Sequence, residues 1–387
     1  MLAVEYHSND DVRIVDLPIP KIGPGELLVQ LQACGLCASD VMEWYMKPRA
    51  PTYPGHEPVG IIAAVGEDVK QFSVGQRVFI HHHVPCMVCH YCQRGSFSQC
   101  PTFRATRLYP GGLAEYIRVP ALNVQLDVLP LPDELSFEAA TLIEPLACCV
   151  RGISRSAIQS GDSVLVLGAG SNGLMLAQLA QQRGAIRVII VDPIAYRRQR
   201  ALDAGIDYVL DSGTEKDNLL QHIYAINDGR KPDIVLVTPS SISAMQQGLE
   251  LVGPGGTVLF FAPPPPTSTL PITPNKLFFQ EVSLHTSYSA GPYETRLALD
   301  LLRNGRIRPE TVITHRLSLK DAAKAFALVA KPGDALKVVI TIESISAFPR
   351  DQSQNDEQFR EEQYAAPVFE YDQDPRGNTL RSNARKW

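Results

Sequence analysis

Short apolar runs separated by turn residues characterise roughly the first 150 residues of the chain. The runs at 26–32, 59–65 and 76–80 have the length of β-strands, and proline and glycine stand between them. Such runs with turn chemistry at their ends are typical of β-structure. The pattern predicts an irregular barrel or sandwich of strands.

The pattern changes between about residues 155 and 285. Largely apolar runs at 163–167, 187–191, 233–237 and 256–261 alternate there with segments of helical length. Strands that alternate with helices are typical of βαβ units around a parallel sheet. This part of the chain therefore predicts an α/β domain with a doubly wound parallel sheet.

Beyond the predicted sheet, the apolar pattern indicates an amphipathic helix at 293–304 and a last strand at 336–342. Apolar residues then become sparse, and glutamine, asparagine, aspartate and arginine are frequent in residues 344–387. We expect this polar tail to be disordered or to lie along the surface. Its scattered aromatic residues leave open that it docks on a neighbouring subunit.

Composition and charge narrow the class of protein. The chain has 387 residues, of which 45% are hydrophobic and 20% charged, and a formal net charge of −5. A net negative charge argues against nucleic acid or an anionic membrane as the main partner. The N-terminus has no basic and apolar leader, and the longest apolar runs are shorter than a membrane span. We expect a cytoplasmic protein with reduced thiols.

Four cysteines stand close together at the spacing C-x2-C-x2-C-x7-C, namely Cys86, Cys89, Cys92 and Cys100. Four thiolates at such spacing can surround one metal ion tetrahedrally, as in a closed structural zinc site. Two disulfides or four unrelated buried thiols are the alternative. Disulfides are rare in chains of intracellular type, so the pattern favours structural zinc.

A glycine fingerprint follows the first strand of the predicted α/β domain and opens a helix. Its residues are Gly168, Gly170, Ser171, Asn172 and Gly173. Gly168 permits the tight turn, Gly170 lets the backbone approach a pyrophosphate, and Gly173 permits close packing of helix on strand. Free N–H groups at the helix N-terminus would then face the phosphates of a dinucleotide.

An acidic residue at the end of the next strand indicates which dinucleotide binds. Asp192 lies 19 residues after Gly173, where a carboxylate can accept hydrogen bonds from the adenosine ribose hydroxyls. It would also repel the additional phosphate of NADP, so the sequence favours NAD. Arg197 and Arg198 follow closely and weaken the exclusion of NADP.

A second set of metal ligands is spread over three segments. Cys37, His56, Glu57 and Glu144 offer one thiolate, one imidazole and one or two carboxylates. Three protein ligands leave zinc an open position, as in catalytic sites, where the ion acts as a Lewis acid on a substrate oxygen. Taken singly, Cys37 could be a buried structural thiol and His56 a loop histidine.

The ordered motifs resemble those of the zinc-dependent medium-chain dehydrogenase/reductase family across about residues 1–343. They are C-x-x-C-x-S-D at 34–40, G-H-E at 55–57, the four-cysteine run, E-P-L-A at 144–147 and G-x-G-x-x-G at 168–173. Within the family, the chain looks closest to the polyol (sorbitol-like) and threonine dehydrogenase branch. The reason is that Glu144 stands where alcohol dehydrogenases place a third zinc cysteine.

This resemblance implies a two-domain α/β fold with substrate in the cleft between the domains. A GroES-like, β-rich catalytic domain would occupy 1–152 and include the structural zinc lobe at 86–100. A Rossmann cofactor domain with a doubly wound parallel sheet would occupy 153–285, and 286–343 would return to complete the catalytic domain. The polar tail would be 344–387. The resemblance also implies a homodimer or homotetramer.

The resemblance further assigns roles to single residues. The implied ligands of the catalytic zinc are Cys37, His56 and Glu57, with Glu144 as an additional or alternating ligand. Asp40 would orient His56, and Ser39 would hydrogen-bond the substrate hydroxyl and pass on its proton. Lys337 falls where many members hold a basic residue near the cofactor pyrophosphate.

Two positions depart from the family pattern. Ala38 replaces the usual glycine between the second cysteine and the serine, which is a small change. Met42 stands where many relatives carry a proton-relay histidine. Proton release must then run through water, the cofactor ribose or another group such as Glu43.

Other reactive residues are interpreted as structural. The histidines at 81–83 end a strand that leads into the cysteine run, where neighbours point to opposite faces. Cys34, Cys148 and Cys149 are interpreted as packed thiols, although either of the last two could replace Glu144 as a ligand.

The sequence thus predicts a zinc-dependent, NAD-linked oxidoreductase that interconverts a secondary alcohol and a ketone, with two zinc ions per chain. A polyol, sugar or sugar derivative is the expected substrate. One alternative is a dehydrogenase of a simple alcohol or a 3-hydroxy amino acid. Another is a non-catalytic dinucleotide-binding protein of the same fold, which Met42 favours and the intact zinc ligands oppose.

Overall fold

The computed structural model describes residues 1–213, 218–331 and 333–343. These residues all fall within one compact unit. The predicted tail at 344–387 lies outside the described residues. Within the described ranges, no helix combines the length and the apolar character that crossing a bilayer would require.

The described residues form fifteen strands. In chain order they are β1 (Leu2–Ser8), β2 (Asp11–Asp16), β3 (Leu27–Leu36), β4 (Glu57–Val65), β5 (Arg77–Ile80), β6 (Tyr116–Val119), β7 (Val128–Pro130), β8 (Ser163–Leu167), β9 (Arg187–Val191), β10 (Tyr208–Leu210), β11 (Ile234–Val237), β12 (Thr257–Phe260), β13 (Ser283–Thr286), β14 (Ile313–Ser318) and β15 (Lys337–Thr341).

Fourteen α-helices connect the strands in this part of the chain. They are α1 (Glu43–Met46), α2 (His90–Gln93), α3 (Pro101–Ala105), α4 (Ala121–Asp127), α5 (Phe137–Ala140), α6 (Ile143–Ser156), α7 (Ser171–Gln182), α8 (Ala195–Asp203), α9 (Leu219–Ile226), α10 (Ile242–Leu251), α11 (Pro274–Phe279), α12 (Pro292–Arg303), α13 (Pro309–Val312) and α14 (Ala322–Ala330). Short 3-10 turns cover Ala38–Val41, Lys47–Arg49, Phe97–Gln99 and Leu319–Asp321.

Six strands build a wholly parallel sheet in the order β10-β9-β8-β11-β12-β13. Numbered by their own order in the chain, they follow the sequence 3-2-1-4-5-6 that is typical of dinucleotide-binding folds. The central strand β8 is buried along its whole length, as a parallel strand covered on both faces must be. The predicted doubly wound parallel sheet is confirmed.

A second, mixed sheet holds the β-rich part of the chain together. Its order is β14-β15-β3-β4-β5-β7, and β6 pairs with β3 beside that path. β15 runs antiparallel to β3, with Val338 opposite Leu36 and Ile340 opposite Cys34. The last strand of the described chain therefore lies next to the end of β3.

Helix α6 connects the two sheets through one continuous core. Leu146 and Val150 on this helix belong to the same buried cluster as Val59 and Phe79 of the mixed sheet and Val166 of the parallel sheet. α6 also packs against α7 and α12. Its first turn, which carries Glu144, is thereby fixed relative to both sheets.

The turn between β8 and α7 depends on close packing at one glycine. A Cβ atom at Gly173 would lie 1.9 Å from the carbonyl oxygen of Gly168, whereas a Cβ at Gly170 would meet no atom within 4 Å. Gly168 itself has a φ of 93°, a conformation that glycine adopts without strain. The helix therefore begins in close contact with the strand end.

We predict that Gly173→Ala lowers the free energy of unfolding by at least about 1–3 kcal/mol, because the new methyl group would overlap the carbonyl oxygen of Gly168. Gly170→Ala is the matched control, expected to cost less than about 1 kcal/mol because its site is open and its φ is ordinary. Chemical denaturation of the two variants measures the difference. Equal stability of both variants would contradict the packing argument.

Candidate functional site

The end of β3 and the start of β4 bring three potential ligands together. Cys37 follows β3 and caps the turn Ala38–Val41, where its backbone N–H donates to Asp40 Oδ2 at 3.0 Å. His56 immediately precedes β4, and its Nδ1 lies 3.3 Å from Asp40 Oδ1. Asp40 is buried and touches both segments. One carboxylate thus ties the cysteine loop to the histidine.

Glu57 is fully buried at the first position of β4. It stands opposite Gly35 of β3, where a side chain would overlap the Glu57 carboxylate, since a Cβ there would lie 1.8 Å from Oε2. The absent side chain at Gly35 therefore makes room for the carboxylate inside the sheet.

Lys337, the first residue of β15, supplies the counter-charge to Glu57. Its Nζ lies 2.7 Å from Oε1 and 2.9 Å from Oε2 of Glu57, and both side chains are buried. Burial raises the pKa of Glu57, and the ammonium group opposes that shift. Burial would also lower the pKa of Lys337, but the Glu57 carboxylate outweighs it and holds that pKa above its ordinary value. Where the resemblance leads us to expect Lys337 near a pyrophosphate, the structure pairs it with Glu57.

The donor atoms of Cys37, His56 and Glu57 all lie within 4.8 Å of one another. Burial disfavours a charge on His56, but Asp40 and Cys37 outweigh burial and raise its pKa well above the ordinary value. A metal at this group would therefore bind in competition with a proton. A thiolate, an imidazole and a carboxylate are a donor set that suits zinc.

Glu144 lies in the first turn of α6 and is almost fully buried. The thiol of Cys148 donates to its Oε1 at 3.5 Å. Burial and the nearby Glu144 charge raise the pKa values of Cys148 and Cys149 well above their usual range. This shift disfavours the thiolate form of both residues, and the thiolate is the form that binds a metal.

The four-cysteine run folds into a separate lobe. Sγ atoms lie 3.5 Å apart for Cys89 and Cys92, 3.6 Å for Cys86 and Cys100, and 4.0 Å for Cys86 and Cys92. Disulfide sulfurs would be only about 2 Å apart, so none of these pairs is bridged. Sulfurs about 2.3 Å from a common tetrahedral centre are about 3.8 Å apart, so the lobe fits one zinc ion.

The glycine fingerprint lies where the sequence predicts it, between β8 and α7. Helix α7 begins at Ser171 without a side-chain cap, so its first N–H groups are available to a ligand. The Oδ1 atom of Asn172 is buried and has no hydrogen-bond partner among the described residues. An open Gly170, uncapped N–H groups and an unpartnered amide oxygen fit the phosphates and hydroxyls of a dinucleotide.

Asp192 follows β9 and is buried against this loop. Its Oδ2 accepts from the N–H of Ala169 and its Oδ1 from the N–H of Ile194, both at 2.8 Å. Arg198, one of the two nearby arginines, donates to the Asp192 carbonyl and pairs with Asp211. Arg197 turns elsewhere, since its Nε donates to the Gly333 carbonyl at 3.0 Å.

The three histidines at 81–83, which the sequence pattern predicts to be structural, line the same region. The rings of His56 and His82 lie 5.1 Å apart, and those of His82 and His83 lie 4.1 Å apart. Donor atoms of His81, His82 and Glu144 lie within 4.8 Å of one another. The sequence signal for this arrangement is three consecutive histidines, but the carboxylate comes from a distant segment.

Ser39 and Met42 belong to the same turn as Cys37, and the Met42 N–H donates to the Ser39 carbonyl at 3.3 Å. Ser39 is half-buried, so its hydroxyl can meet a ligand beside the donor group. Glu43, one suggested substitute for a relay histidine, pairs with Lys47 at 3.0 Å on the surface.

Two family models match the chain. The alcohol dehydrogenase GroES-like domain matches residues 23–133, and the zinc-binding dehydrogenase domain matches residues 173–304. The first covers the β-rich part that holds Cys37, His56 and the cysteine lobe. The second covers most of the parallel sheet. The expected combination of a GroES-like part and a Rossmann part is confirmed.

Complete proteins also resemble the chain over most of their length. Sorbitol dehydrogenase of Mus musculus is 30% identical over 363 residues, which cover 91% of this chain and 97% of the relative. L-threonine 3-dehydrogenase of Pyrococcus furiosus is 31% identical over 337 residues, covering 85% and 94%. The crystal structure of a zinc-binding dehydrogenase from Sinorhizobium meliloti bound to NADP superposes with a TM-score of 0.78. It is 28% identical, and the match covers 88% of this chain and 98% of that one.

We predict that Lys337→Met costs about 3–5 kcal/mol of unfolding free energy, because it leaves the buried Glu57 carboxylate without a counter-charge. Lys320→Met is the control, because Lys320 is exposed in the turn Leu319–Asp321. It is expected to change the free energy of unfolding by less than about 0.5 kcal/mol. Adding Glu57→Gln to Lys337→Met should recover part of the loss. Equal effects of the two lysine substitutions, measured by denaturant unfolding, would refute the buried pair.

Proposed function

We propose that this chain, which belongs to the zinc-dependent medium-chain dehydrogenase/reductase family and is an alcohol or polyol dehydrogenase of that family, is NAD-linked. Its proposed reaction interconverts a secondary alcohol and a ketone. A polyol, sugar or sugar derivative is the proposed substrate. The observation that carries this proposal is the donor group of Cys37, His56 and Glu57. It stands in a fold whose parallel sheet presents a dinucleotide fingerprint.

We assign the catalytic metal to Cys37, His56 and Glu57, with Glu144 as an additional or alternating ligand. Zinc bound there would supply Lewis-acid polarisation of the alcohol oxygen. The Asp40 carboxylate holds the His56 ring at its Nδ1. The other ring nitrogen of His56, Nε2, then points away from Asp40. The cysteines of the separate lobe would hold a second, structural zinc.

The proposed cofactor residues are Gly168, Gly170, Ser171, Asn172, Gly173 and Asp192. A nicotinamide dinucleotide would supply the hydride acceptor. Asp192 is held at the end of β9 by two backbone N–H groups, so its charge stays fixed beside the loop. That charge favours the ribose hydroxyls of NAD over the additional phosphate of NADP.

Ser39 is the proposed group that hydrogen-bonds the substrate hydroxyl and takes part in removing its proton. It sits two residues after Cys37 in a turn that the Asp40 carboxylate braces. Since Met42 cannot accept a proton, the onward route must use water, the cofactor ribose or another protein group. Ser39→Ala should therefore lower kcat more than it raises KM.

A 3-hydroxy amino acid is a second candidate substrate, because the Pyrococcus furiosus relative is an L-threonine 3-dehydrogenase. The domain boundaries at 152 and 285, a cytoplasmic location and a homodimer or homotetramer are further proposals from the family resemblance. Light scattering of the purified chain measures the last of these.

The substrate proposal predicts turnover of polyols with NAD. Zinc-loaded protein would be assayed with polyols, sugars, L-threonine and simple secondary alcohols, following reduced cofactor by absorbance. We expect the highest kcat/KM for a polyol or sugar derivative, and a higher value with NAD than with NADP. Preference for threonine or a simple alcohol would overturn the substrate class, and preference for NADP would overturn the role of Asp192.

The two cysteine sets should respond differently to substitution. Cys37→Ser should abolish turnover, because it removes one of the proposed metal ligands. The variant should keep its circular dichroism spectrum and melting temperature, because the fold does not depend on this ligand. Cys89→Ser should instead lower the melting temperature and remove one zinc, because the lobe is closed by its metal. Metal analysis and thermal melting separate the outcomes. The reverse assignment would follow if Cys89→Ser lost activity with unchanged stability.

A further inference from the structure

An arginine that is not among the proposed metal ligands reaches the metal group from the side of the cysteine lobe. Arg107 stands two residues after α3, and its Nη1 lies 3.3 Å from Nδ1 of His83. The His83 ring lies 4.1 Å from the His82 ring, which lies 5.1 Å from the ring of His56. A continuous row of imidazole rings therefore joins the Arg107 guanidinium group to a proposed zinc ligand.

A second line of contacts connects Arg107 with Glu144. Burial raises the pKa of Tyr288, the Cys148 thiol adds to the rise, and the Arg107 guanidinium group opposes it. Such effects fall off with distance, so the three groups lie near one another. The Cys148 thiol in turn donates to Glu144 Oε1 at 3.5 Å. Arg107 is thus connected through different neighbours to two proposed ligands, which places it at the edge of the proposed substrate site.

The protein supplies no acidic partner for this arginine. Arg107 Nη1 donates to the Thr106 carbonyl at 2.6 Å, and within residues 1–213, 218–331 and 333–343 no carboxylate forms an ion pair with it. Partial burial lowers the pKa of Arg107. The Tyr45 and Tyr288 phenols oppose this shift, and the Arg49 guanidinium group adds to it.

Two other arginines show the effect of a carboxylate partner. Arg13 and Arg187 each pair with an aspartate, at 2.6 and 3.0 Å, and these aspartates raise the pKa of both arginines. The pKa of Arg107 is shifted in the opposite direction, so its surroundings offer too little negative charge. An anion bound there would offset both the partial desolvation and the repulsion from Arg49.

Charge is therefore distributed unevenly along the proposed substrate site. Three buried carboxylates, those of Asp40, Glu57 and Glu144, lie at the metal end. At the other end are Arg107 and Arg49, whose guanidinium group stacks on a tyrosine ring at 3.8 Å from the ring centre. A substrate with a hydroxyl group at the metal and an anionic group at the arginines would match this distribution.

We propose that Arg107 binds an anionic group of the substrate, a phosphate or a carboxylate, and that the substrate is a polyol or sugar derivative carrying such a group. Guanidinium groups bind both anions through paired N–H donors, and Arg49 adds a second positive charge nearby. This inference rests on the proposed function, because it requires that the alcohol to be oxidised lies at the donor group of Cys37, His56 and Glu57.

Compounds that differ mainly in the anionic group test the proposal. Zinc-loaded, full-length protein with NAD would be assayed with sorbitol, sorbitol 6-phosphate and gluconate. We expect kcat/KM for the phosphate or the carboxylate compound to exceed that for sorbitol about 10- to 100-fold, as charge-assisted hydrogen bonds provide. The compound with the higher value identifies the anion. A kcat/KM for sorbitol that equals or exceeds both other values would overturn the proposal.

Substitution of Arg107 tests whether this residue causes the preference. Arg107→Met should raise KM for the preferred compound about 10- to 100-fold with little change in kcat, because the remote anion is bound alike in the ground and transition states. Its kcat/KM for sorbitol should stay the same. Arg107→Lys should keep part of the preference, because it keeps the charge and loses the paired donors.

Arg183→Met is the control, because Arg183 is an exposed arginine directly after α7. It should have the kinetic constants of the wild type. Circular dichroism checks that each variant is folded, and Arg107→Gln replaces the methionine variant if that one is not. A preference for the anionic compound that survives in a folded Arg107 variant without the charge would overturn the proposal.

Direct binding separates this inference from the proposed function. Isothermal titration calorimetry with saturating NADH, which fills the dinucleotide site and prevents oxidation, measures Kd for the same three compounds. The wild type should bind the preferred compound at least about 10-fold more tightly than Arg107→Met does. Binding that depends on Arg107 without oxidation of any compound would refute the proposed function and leave the anion site standing. Oxidation of sorbitol with no preference for either anionic compound would do the reverse.

Discussion

The buried ion pair of Glu57 and Lys337 is the interaction on which the site depends. Its two partners are 280 residues apart in the chain, and each is the first residue of its strand. Because an unpaired charge in this interior is costly, removing either charge alone destabilises the packing of β4 and β15 on β3. The same carboxylate is a candidate metal ligand, so the fold and the metal site share one electrostatic constraint. The segment after the parallel sheet is therefore part of the site.

Charge balance explains why this interior requires cations. Asp40, Glu57 and Glu144 are three buried carboxylates, and Lys337 pairs with one of them. His56 can carry a positive charge in place of a metal, which is the state that its raised pKa describes. A divalent ion replaces that proton and compensates the remaining anions. A divalent ion at the group of Cys37, His56 and Glu57 would therefore offset acidic side chains that are buried with too few basic ones.

Local sequence patterns predicted those parts of the structure that depend on residues close together in the chain. The parallel sheet follows from apolar runs between helix-length segments, and the cysteine lobe spans only 86–100, so its four sulfurs are close for reasons visible in the spacing. The position of Lys337 could not be predicted in this way. Only the pairing of β15 with β3 places it against Glu57, and no local pattern specifies that pairing. The family resemblance identified a basic residue at this position but led us to expect a different contact.

The alternation of side chains between the two faces of a strand does not extend to the histidines at 81–83. Side chains alternate between faces only while the strand continues, and β5 ends at Ile80, one residue before His81. Beyond Ile80, specific contacts determine the path of the backbone. The backbone N–H of His81 donates to the carbonyl of Asp127 at 3.1 Å, and the side chains of His81 and Asp127 also form a hydrogen bond. The chain direction at His82 is then set by this buried contact, and His82 comes to lie beside His56. His81 thus uses one ring nitrogen to anchor its ring on Asp127, and its other ring nitrogen has no hydrogen-bond partner among the described residues.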